Sequence, residues 1–406
     1  MIIIVATILI LLILGMIERI RHQRRVNRIP LRININGIRG KSTVTRLITG
    51  IMMEDGRRTI GKTTGTQARM IYWNKTEEEP IQRRPEGPNI REQKMVIKKS
   101  SELGADCLVS ECMAVNPDYQ VIFQRDMLQA NIGVIVNVLE DHMDVMGPTL
   151  REVAEAFTAT IPENGHLIVN DSPYVPYFKR IAQERNTRVW VCDTSRISES
   201  YLRQFEYMIF PENAALALAV AEAAGVDEQT AFRGMLKAPP DPGAMRILPV
   251  GDPERPGYFV NGFAANDATS TRNIWDRVQA LGYPIHKEPM IIMNCRADRV
   301  DRTEQFARDV LPYIPADTLV LVGETTSPLV RAYEQNRLPV NHLLNLEEQS
   351  TEQMMEVLTP LLDDRLIYGV GNIHGAAEPL VEWLKQQRRQ ESNCGMDGED
   401  KNLVRI

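Results

Sequence analysis

The stretch Asn36-Gly37-Ile38-Arg39-Gly40-Lys41-Ser42-Thr43 decides the fold. It follows a short apolar run at 31–36. After it come Val44, Leu47, Ile48, Ile51 and Met52, at i, i+3, i+4, i+7 and i+8 on one helical face. The segment therefore predicts a strand, a glycine turn and a helix. Glycines let a backbone approach a phosphate closely, and a helix N-terminus offers it unpaired N–H groups. Lys41 is placed to neutralise β- and γ-phosphates, and Ser42 or Thr43 to give a hydroxyl oxygen to Mg2+. The usual P-loop carries a glycine five residues before Gly40, where this chain has Ile35. The loop is thus a shortened GxxGK[ST] form.

Outward from this loop, short apolar runs alternate with amphipathic ones, the pattern of βα units and a mostly parallel sheet. The predicted strands are 31–36, 106–112, 131–138, 166–170 and 188–192, with an Ala-rich helix at 213–224. The Pro- and Gly-rich stretch 238–243 forbids a helix and reads as a linker. Beyond it βα alternation restarts, with strands near 258–263, 290–294, 318–322 and 366–370. The polar segment 74–93 reads as a loop or surface insertion. Its Arg83, Arg84 and Arg91 are candidates to contact an anionic polymer.

The chain has 406 residues, 43% hydrophobic and 25% charged, which is ordinary globular composition with room for two domains. A net charge of −6 gives no electrostatic footprint for nucleic acid. Five scattered cysteines without CxxC spacing argue against a zinc cluster or disulfide framework. One asymmetry stands out. Residues 1–17 are an uncharged apolar run, and 18–28 carry five arginines against Glu18, a net +4. Subtracting that +4 from the chain's −6 leaves −10 for the rest. Positive charge on the C-terminal side of the run, with no A-x-A site, reads as a single-pass anchor rather than a cleaved signal. The positive-inside rule then puts the body in the cytoplasm.

Further chemistry sits at predicted strand ends, where ligands bind in α/β sheets. Residues 137–144 read NVLEDHMD, so His142 and its neighbouring carboxylates are candidates to bind a metal or position a nucleophile. Glu111 ends another apolar strand and is a natural Mg2+ ligand. Residues 61–66, GKTTGT, form a further glycine–hydroxyl loop. In the second half, polar groups follow three predicted strands, at 261–267, 294–302 and 369–375.

Taken together, the shortened P-loop, Glu111, the N-x-x-x-D-H-x-D box and HLIVNDS at 166–172 resemble the central domain of Mur-type amide ligases and folylpolyglutamate synthases. The second half resembles their C-terminal domain. The whole layout is similar to the ligase subunits of poly-γ-glutamate synthases: anchor, arginine cluster, NGIRGKST, GKTTGT, ECMAVNPDYQ, NVLEDHMDVMG and FPENAALALA. The resemblance implies an α/β fold with a P-loop-containing Mur-ligase-like central domain, a smaller Rossmann-like C-terminal domain and an N-terminal transmembrane helix. The expected bounds are 1–17 for the anchor and 18–30 for the basic segment. The two domains then take 31–243 and 244–388, with a polar tail at 389–406.

The implied activity is an ATP-dependent amide ligase that joins glutamates through γ-linkages by way of an acyl phosphate. Catalytic positions carried over are Lys41, Glu111 and His142, and metal positions are Ser42, Glu111 and His142. Nucleotide positions are Gly37, Gly40, Lys41, Ser42, Thr43, Thr64, Thr66, Asn213 and Arg299. Implied cofactors are ATP and Mg2+. Implied partners are glutamate, the growing chain, small membrane proteins of a synthase complex and the membrane itself.

Departures from the family pattern are specific. Ile209-Phe210 replace a His-Asn pair, 262–267 (GFAAND) lack the histidine of the adenine-side box, and Ala156 or Phe157 stands where many of these ligases carry a carbamylated lysine. A ligase on another carboxylate, an accessory ATPase for polymer assembly and export, and a P-loop kinase are the competing readings.

Overall fold

In the computed structural model, residues 2–64, 68–83, 90–141, 143–205, 207–241, 244–263, 265, 267–283 and 285–385 are described. The chain divides into two units, 1–205 with 209–244, and 206–208 with 245–406.

The first unit is built on eight strands: β1 (Leu31–Asn36), β2 (Thr59–Lys62), β3 (Arg69–Tyr72), β4 (Glu79–Pro80), β5 (Cys107–Glu111), β6 (Ile132–Ile135), β7 (His166–Val169) and β8 (Arg188–Val191). Their spatial order is β4-β3-β2-β5-β1-β6-β7-β8. β2, β5, β1, β6, β7 and β8 run parallel, and β3 and β4 extend one edge antiparallel. Central strands such as β5 are buried along their whole length, which is why they read as unbroken apolar runs. From β1 the chain first builds toward β2, then returns to build β6 to β8 on the other flank. The order therefore reverses at β1, and its C-terminal end is the crevice where such sheets bind ligands. The Lys41–Glu54 helix leaves that end and buries Val44, Leu47, Ile48, Ile51 and Met52.

The second unit carries β9 (Ile247–Val250), β10 (Gly257–Asn261), β11 (Met290–Cys295), β12 (Thr318–Gly323), β13 (His342–Glu347) and β14 (Leu366–Gly371) in the order β13-β12-β11-β14-β10-β9. All are parallel except β9, an antiparallel edge strand. Phe259, Phe263, Ile292, Val320, Ile367 and Leu380 form its core. Because β11, β14 and β10 are adjacent and parallel, the three polar segments that follow them emerge at one edge of the sheet.

Five strands were not expected from sequence, and each has a physical reason. β2 has one aliphatic side chain and β4 has two residues. β3 has four residues, too few to stand out as a run. β9 contains Pro249, tolerated only at an edge. β13 is half-exposed along its length. Segment 74–93 is not one loop, since it contains β4 and Ile90 opens the Ile90–Glu102 helix. The predicted strand 131–138 ends at Ile135, after which the Val136 N–H turns onto the carbonyl of Asn36. The apolar run and arginine cluster form one continuous helix, Ile2–Asn27. Among the described residues it is the one helix long and apolar enough to cross a membrane.

Candidate active site

The phosphate loop is shaped by its neighbours. Gly40 adopts φ +84°, and a Cβ there would lie 2.8 Å from Asn213 Oδ1, so both conformation and space require glycine. No side chain caps the helix that starts at Lys41, which leaves its first-turn N–H groups available to an anion. Asn137, from the segment after β6, clamps the loop. Its Oδ1 accepts from the N–H groups of Ile38 and Arg39 at 3.0 Å each, and its Nδ2 donates to the Arg39 carbonyl at 3.0 Å. Asn36 holds the start of the loop by donating to Gln120 and Thr160, while its Oδ1 accepts from the Gly37 N–H. The Lys41 ammonium folds back over the loop and donates to the carbonyls of Gly37 (2.7 Å) and Ile38 (3.0 Å). Burial pushes its pKa below the usual lysine range, with Glu111 opposing the shift.

Glu111 closes β5 and is buried. One carboxylate oxygen accepts from the Ser42 hydroxyl at 2.9 Å and from the Thr64 backbone N–H at 2.7 Å. It thereby joins the end of β5 to the phosphate-loop helix and to the segment after β2. Asn36, Gly37, Lys41, Thr64, Glu111 and Asp141 share the walls of one cavity of about 180 Å³. Asp141 is 3.8 Å from Arg39. Phe157 also lines this cavity, so at the carbamylated-lysine position the wall is apolar. Cys112 lines it too, but burial pushes its thiol up to about 11, and it is inert at neutral pH.

The sequence missed the array behind Thr64. Lys62, fully buried on β2, pairs with Glu92 at 3.0 Å, and Glu92 pairs with Arg83 at 3.0 Å. Arg83 also donates to the Thr64 carbonyl at 3.1 Å. Burial would raise the Glu92 carboxyl, but Lys62 and Arg83 outweigh it and hold it below the usual range. The backbone of Thr64 is thus held on both sides, through its N–H by Glu111 and through its carbonyl by Arg83. This corrects two expectations. Lys62 belongs to a strand rather than a loop. Arg83 is committed to Glu92 and Thr64 rather than offered to a polymer. A lysine next to two threonines at a strand end was the only available hint.

The predicted site residues fall into three groups. Gly37, Gly40, Lys41, Ser42, Thr43, Thr64, Glu111 and Asn213 come together around the C-terminal end of β1. Arg299 belongs to the second unit, on the exposed turn after β11. His142 and Thr66 lie outside the described residues, as do Arg84 and the side chain of Arg91.

The donor set suits a nucleotide triphosphate with a divalent cation. Lys41 is a desolvated ammonium whose hydrogen-bond partners are two loop carbonyls, the uncapped helix faces the same cavity, and Asn213 crowds Gly40 where any larger residue would block the loop. Ser42 and Glu111 present hard oxygen ligands 2.9 Å apart, the chemistry Mg2+ selects.

Comparison with known proteins gives the family and the fold. Residues 35–223 match the Mur ligase middle domain, and residues 247–387 match the poly-gamma-glutamate synthase CapB C-terminal domain. The chain is 64% identical over 379 residues to PGA synthase CapB of Bacillus subtilis, covering 93% of this chain and 96% of that one. It is 62% identical to the capsule biosynthesis protein CapB of Bacillus anthracis, covering 93% and 81%. Among solved structures, a folylpolyglutamate synthase from Thermotoga maritima shares the fold with a TM-score of 0.60 at 16% identity, covering 91% of this chain and 93% of that one. MurF from Acinetobacter baumannii gives 0.60 at 15%, covering 89% and 78%. Identity this high across nearly the whole length, on a fold shared with the amide ligases, means that this chain belongs to the CapB family of poly-γ-glutamate synthase proteins.

Proposed function

We infer that this protein is an ATP-dependent amide ligase that polymerises glutamate through γ-linkages for capsule synthesis. The observation that carries the site assignment is the convergence of Ser42 and Thr64 on one oxygen of Glu111, beneath a loop guarded by Lys41. In the reaction, a carboxylate oxygen of the γ-carboxyl group bonds to the γ-phosphorus of ATP as the bond from that phosphorus to the bridging oxygen breaks. ADP leaves. The amine of the next glutamate then attacks the acyl carbon. A C–N bond forms, the C–O bond to phosphate breaks, and phosphate and a proton are released.

Both steps bring anions together, so the work of the chain is charge placement. Lys41 and the first-turn N–H groups bind the β- and γ-phosphates. Glu111 and Ser42, with His142, would hold Mg2+, which supplies Lewis-acid polarisation of the phosphate oxygens. Asn213 and Thr43 flank the nucleotide and Thr64, with Thr66, the γ-phosphate. Arg299 is carried as a nucleotide position by its resemblance to the family pattern. The net-negative body tolerates acidic substrates because the required positive charge is local.

The Ile2–Asn27 helix serves as a single-pass membrane anchor with the body on the cytoplasmic side, where small membrane proteins of a synthase complex would meet it. Two features of the helix support this: its exposed apolar length and the arginines that follow it. The test supplies the full chain, in membranes with its partner proteins, with glutamate, ATP and Mg2+, and measures ADP and γ-linked polymer together. ADP released without a new amide would leave an accessory ATPase. ADP released only with a different acid would leave a ligase of other specificity.

A further inference from the structure

The first helix does not reach the body through a flexible tether. It runs unbroken from Ile2 to Asn27, and its docking begins one residue after the apolar run ends at Ile17. Glu18 accepts from Lys94 Nζ at 2.6 Å. His22 Nε2 lies 3.0 Å from the carbonyl of Met127. Gln23 and Gln129 exchange two amide hydrogen bonds, at 2.8 and 2.9 Å. Val26 is fully buried in one cluster with Ile97 and Leu128. Positions 18, 22 and 26 repeat every four residues, so a single helical face is seated on the Ile90–Glu102 helix and on 123–129. The other side of the helix carries exposed Arg21 and Arg24, and Arg19 and Arg28 are exposed as well.

A stalk of this kind sets a height. At about 1.5 Å per residue, Glu18 is within one helical step of the last apolar residue, so no spacer separates lipid from protein. Whatever surrounds Glu18 on the body must then meet the headgroups. That surface is the outer side of the Ile90–Glu102 helix, where Met95 is 50% exposed beside Lys94 and Lys98. Lys94 is shared with Glu18, and Lys98 sits 3.8 Å from Glu102 in an exposed pair. An exposed apolar residue flanked by lysines whose stems can lie along the interface is a composition suited to a headgroup layer. The arginine collar favours anionic lipid there.

We propose that the Lys94–Met95–Lys98 face of the catalytic body rests in the phospholipid headgroup layer, held there by the rigid docking of the first helix. The proposal rests on the membrane reading of that helix and adds a fixed stand-off for the nucleotide site. The consequence is that the site works at one height above the membrane instead of sampling many.

The experiment uses the full chain in phosphatidylglycerol-containing nanodiscs. An environment-sensitive fluorophore is placed at Met95→Cys in a Cys192→Ser, Cys394→Ser background, with lipids spin-labelled at the headgroup as quenchers. At least twofold quenching is expected. A twelve-residue Gly-Ser insertion between Ile17 and Glu18 is expected to abolish it. Quenching that survives the insertion would overturn the role of the rigid stalk. An unquenched probe on a chain that resists carbonate extraction would overturn the proposal while sparing the anchor. A chain released by carbonate would overturn the membrane reading itself.

Discussion

At the C-terminal edge of the first sheet a set of four charges is withdrawn from water, Arg39 being exposed beside them, and at the same edge of the second the charges lie at the surface. Lys62, Glu92, Lys41 and Glu111 are withdrawn from water and bound to loops or to each other. In the second unit, Arg296 pairs with Asp298 and His374 with Glu378 on the open surface, and Arg299 stands on an exposed turn. What is buried there is neutral. Asn294 and Asn372 exchange amide–carbonyl hydrogen bonds that staple β11 to β14, and Arg302 donates to Asn372 at 2.7 Å. A buried charge is costly unless it is fully partnered, and it keeps its geometry once it is. The first edge is therefore held in one geometry, and the second is a stable rim whose side chains are less constrained.

The largest break in this comparison is Lys62→Met. It leaves the buried Glu92 carboxylate with Arg83 as its remaining ion-pair partner and is expected to cost about 3 kcal/mol, the low end for a broken buried pair, read by urea unfolding of the first unit. Lys62→Met with Glu92→Leu removes both charges and should recover most of that loss. Arg296→Ala, its exposed counterpart, should change stability by less than about 1 kcal/mol. A small loss for the single Lys62 variant would mean that the array is solvated and the contrast false. Next comes Lys41→Ala, expected to lower kcat by about 10²–10³-fold, since it removes a preorganised donor. Polymer made at the normal rate by this variant would remove the phosphate-loop assignment.

The two edges also differ in crowding, which two glycines measure. Gly40 and Gly375 both hold positive φ, at +84° and +92°. An alanine at either carries about 1–2 kcal/mol of backbone strain. At Gly40 the new Cβ also meets Asn213 at 2.8 Å, whereas at Gly375 the nearest atom, on Arg296, is 3.8 Å away. Gly40→Ala should therefore weaken ATP binding in calorimetry as well as destabilise the fold. Gly375→Ala should show the strain alone. Equal effects would mean that Asn213 moves aside and does not define the loop.

How much of this was legible depended on locality. The loop, its helix and the strand end at Glu111 are contiguous patterns of glycine, hydroxyl and apolar period, and sequence carries those directly. Asn137 clamps a loop about a hundred residues earlier, and nothing near it in the chain says so. Lys62 reads as a loop residue because its strand is four residues long. Its burial follows only from β2 lying between β3 and β5. The Arg83 side chain reads as free because its partners are nine and nineteen residues away on other elements. Pattern finds the residues that start an element, but pairing across elements decides which charges are spent on structure.

The smallest effect is the sharpest test of preorganisation. Burial lowers the pKa of Lys41 from the ordinary lysine value, while Glu111 pulls the other way. The charged form binds phosphate, so kcat/KM for ATP, which reports the free enzyme, should fall as pH rises through this lowered pKa. Stability should move in the opposite sense. Between the lowered pKa and the ordinary value the unfolded chain binds the proton more readily, so the contribution of Lys41 to folding rises with pH across that window. Activity and stability thus diverge on the alkaline side. Lys41→Arg keeps the charge and should push the alkaline limb upward. If the limb of the unaltered protein lies at the ordinary lysine position, the ammonium is hydrated, and the first edge is no more withdrawn from water than the second.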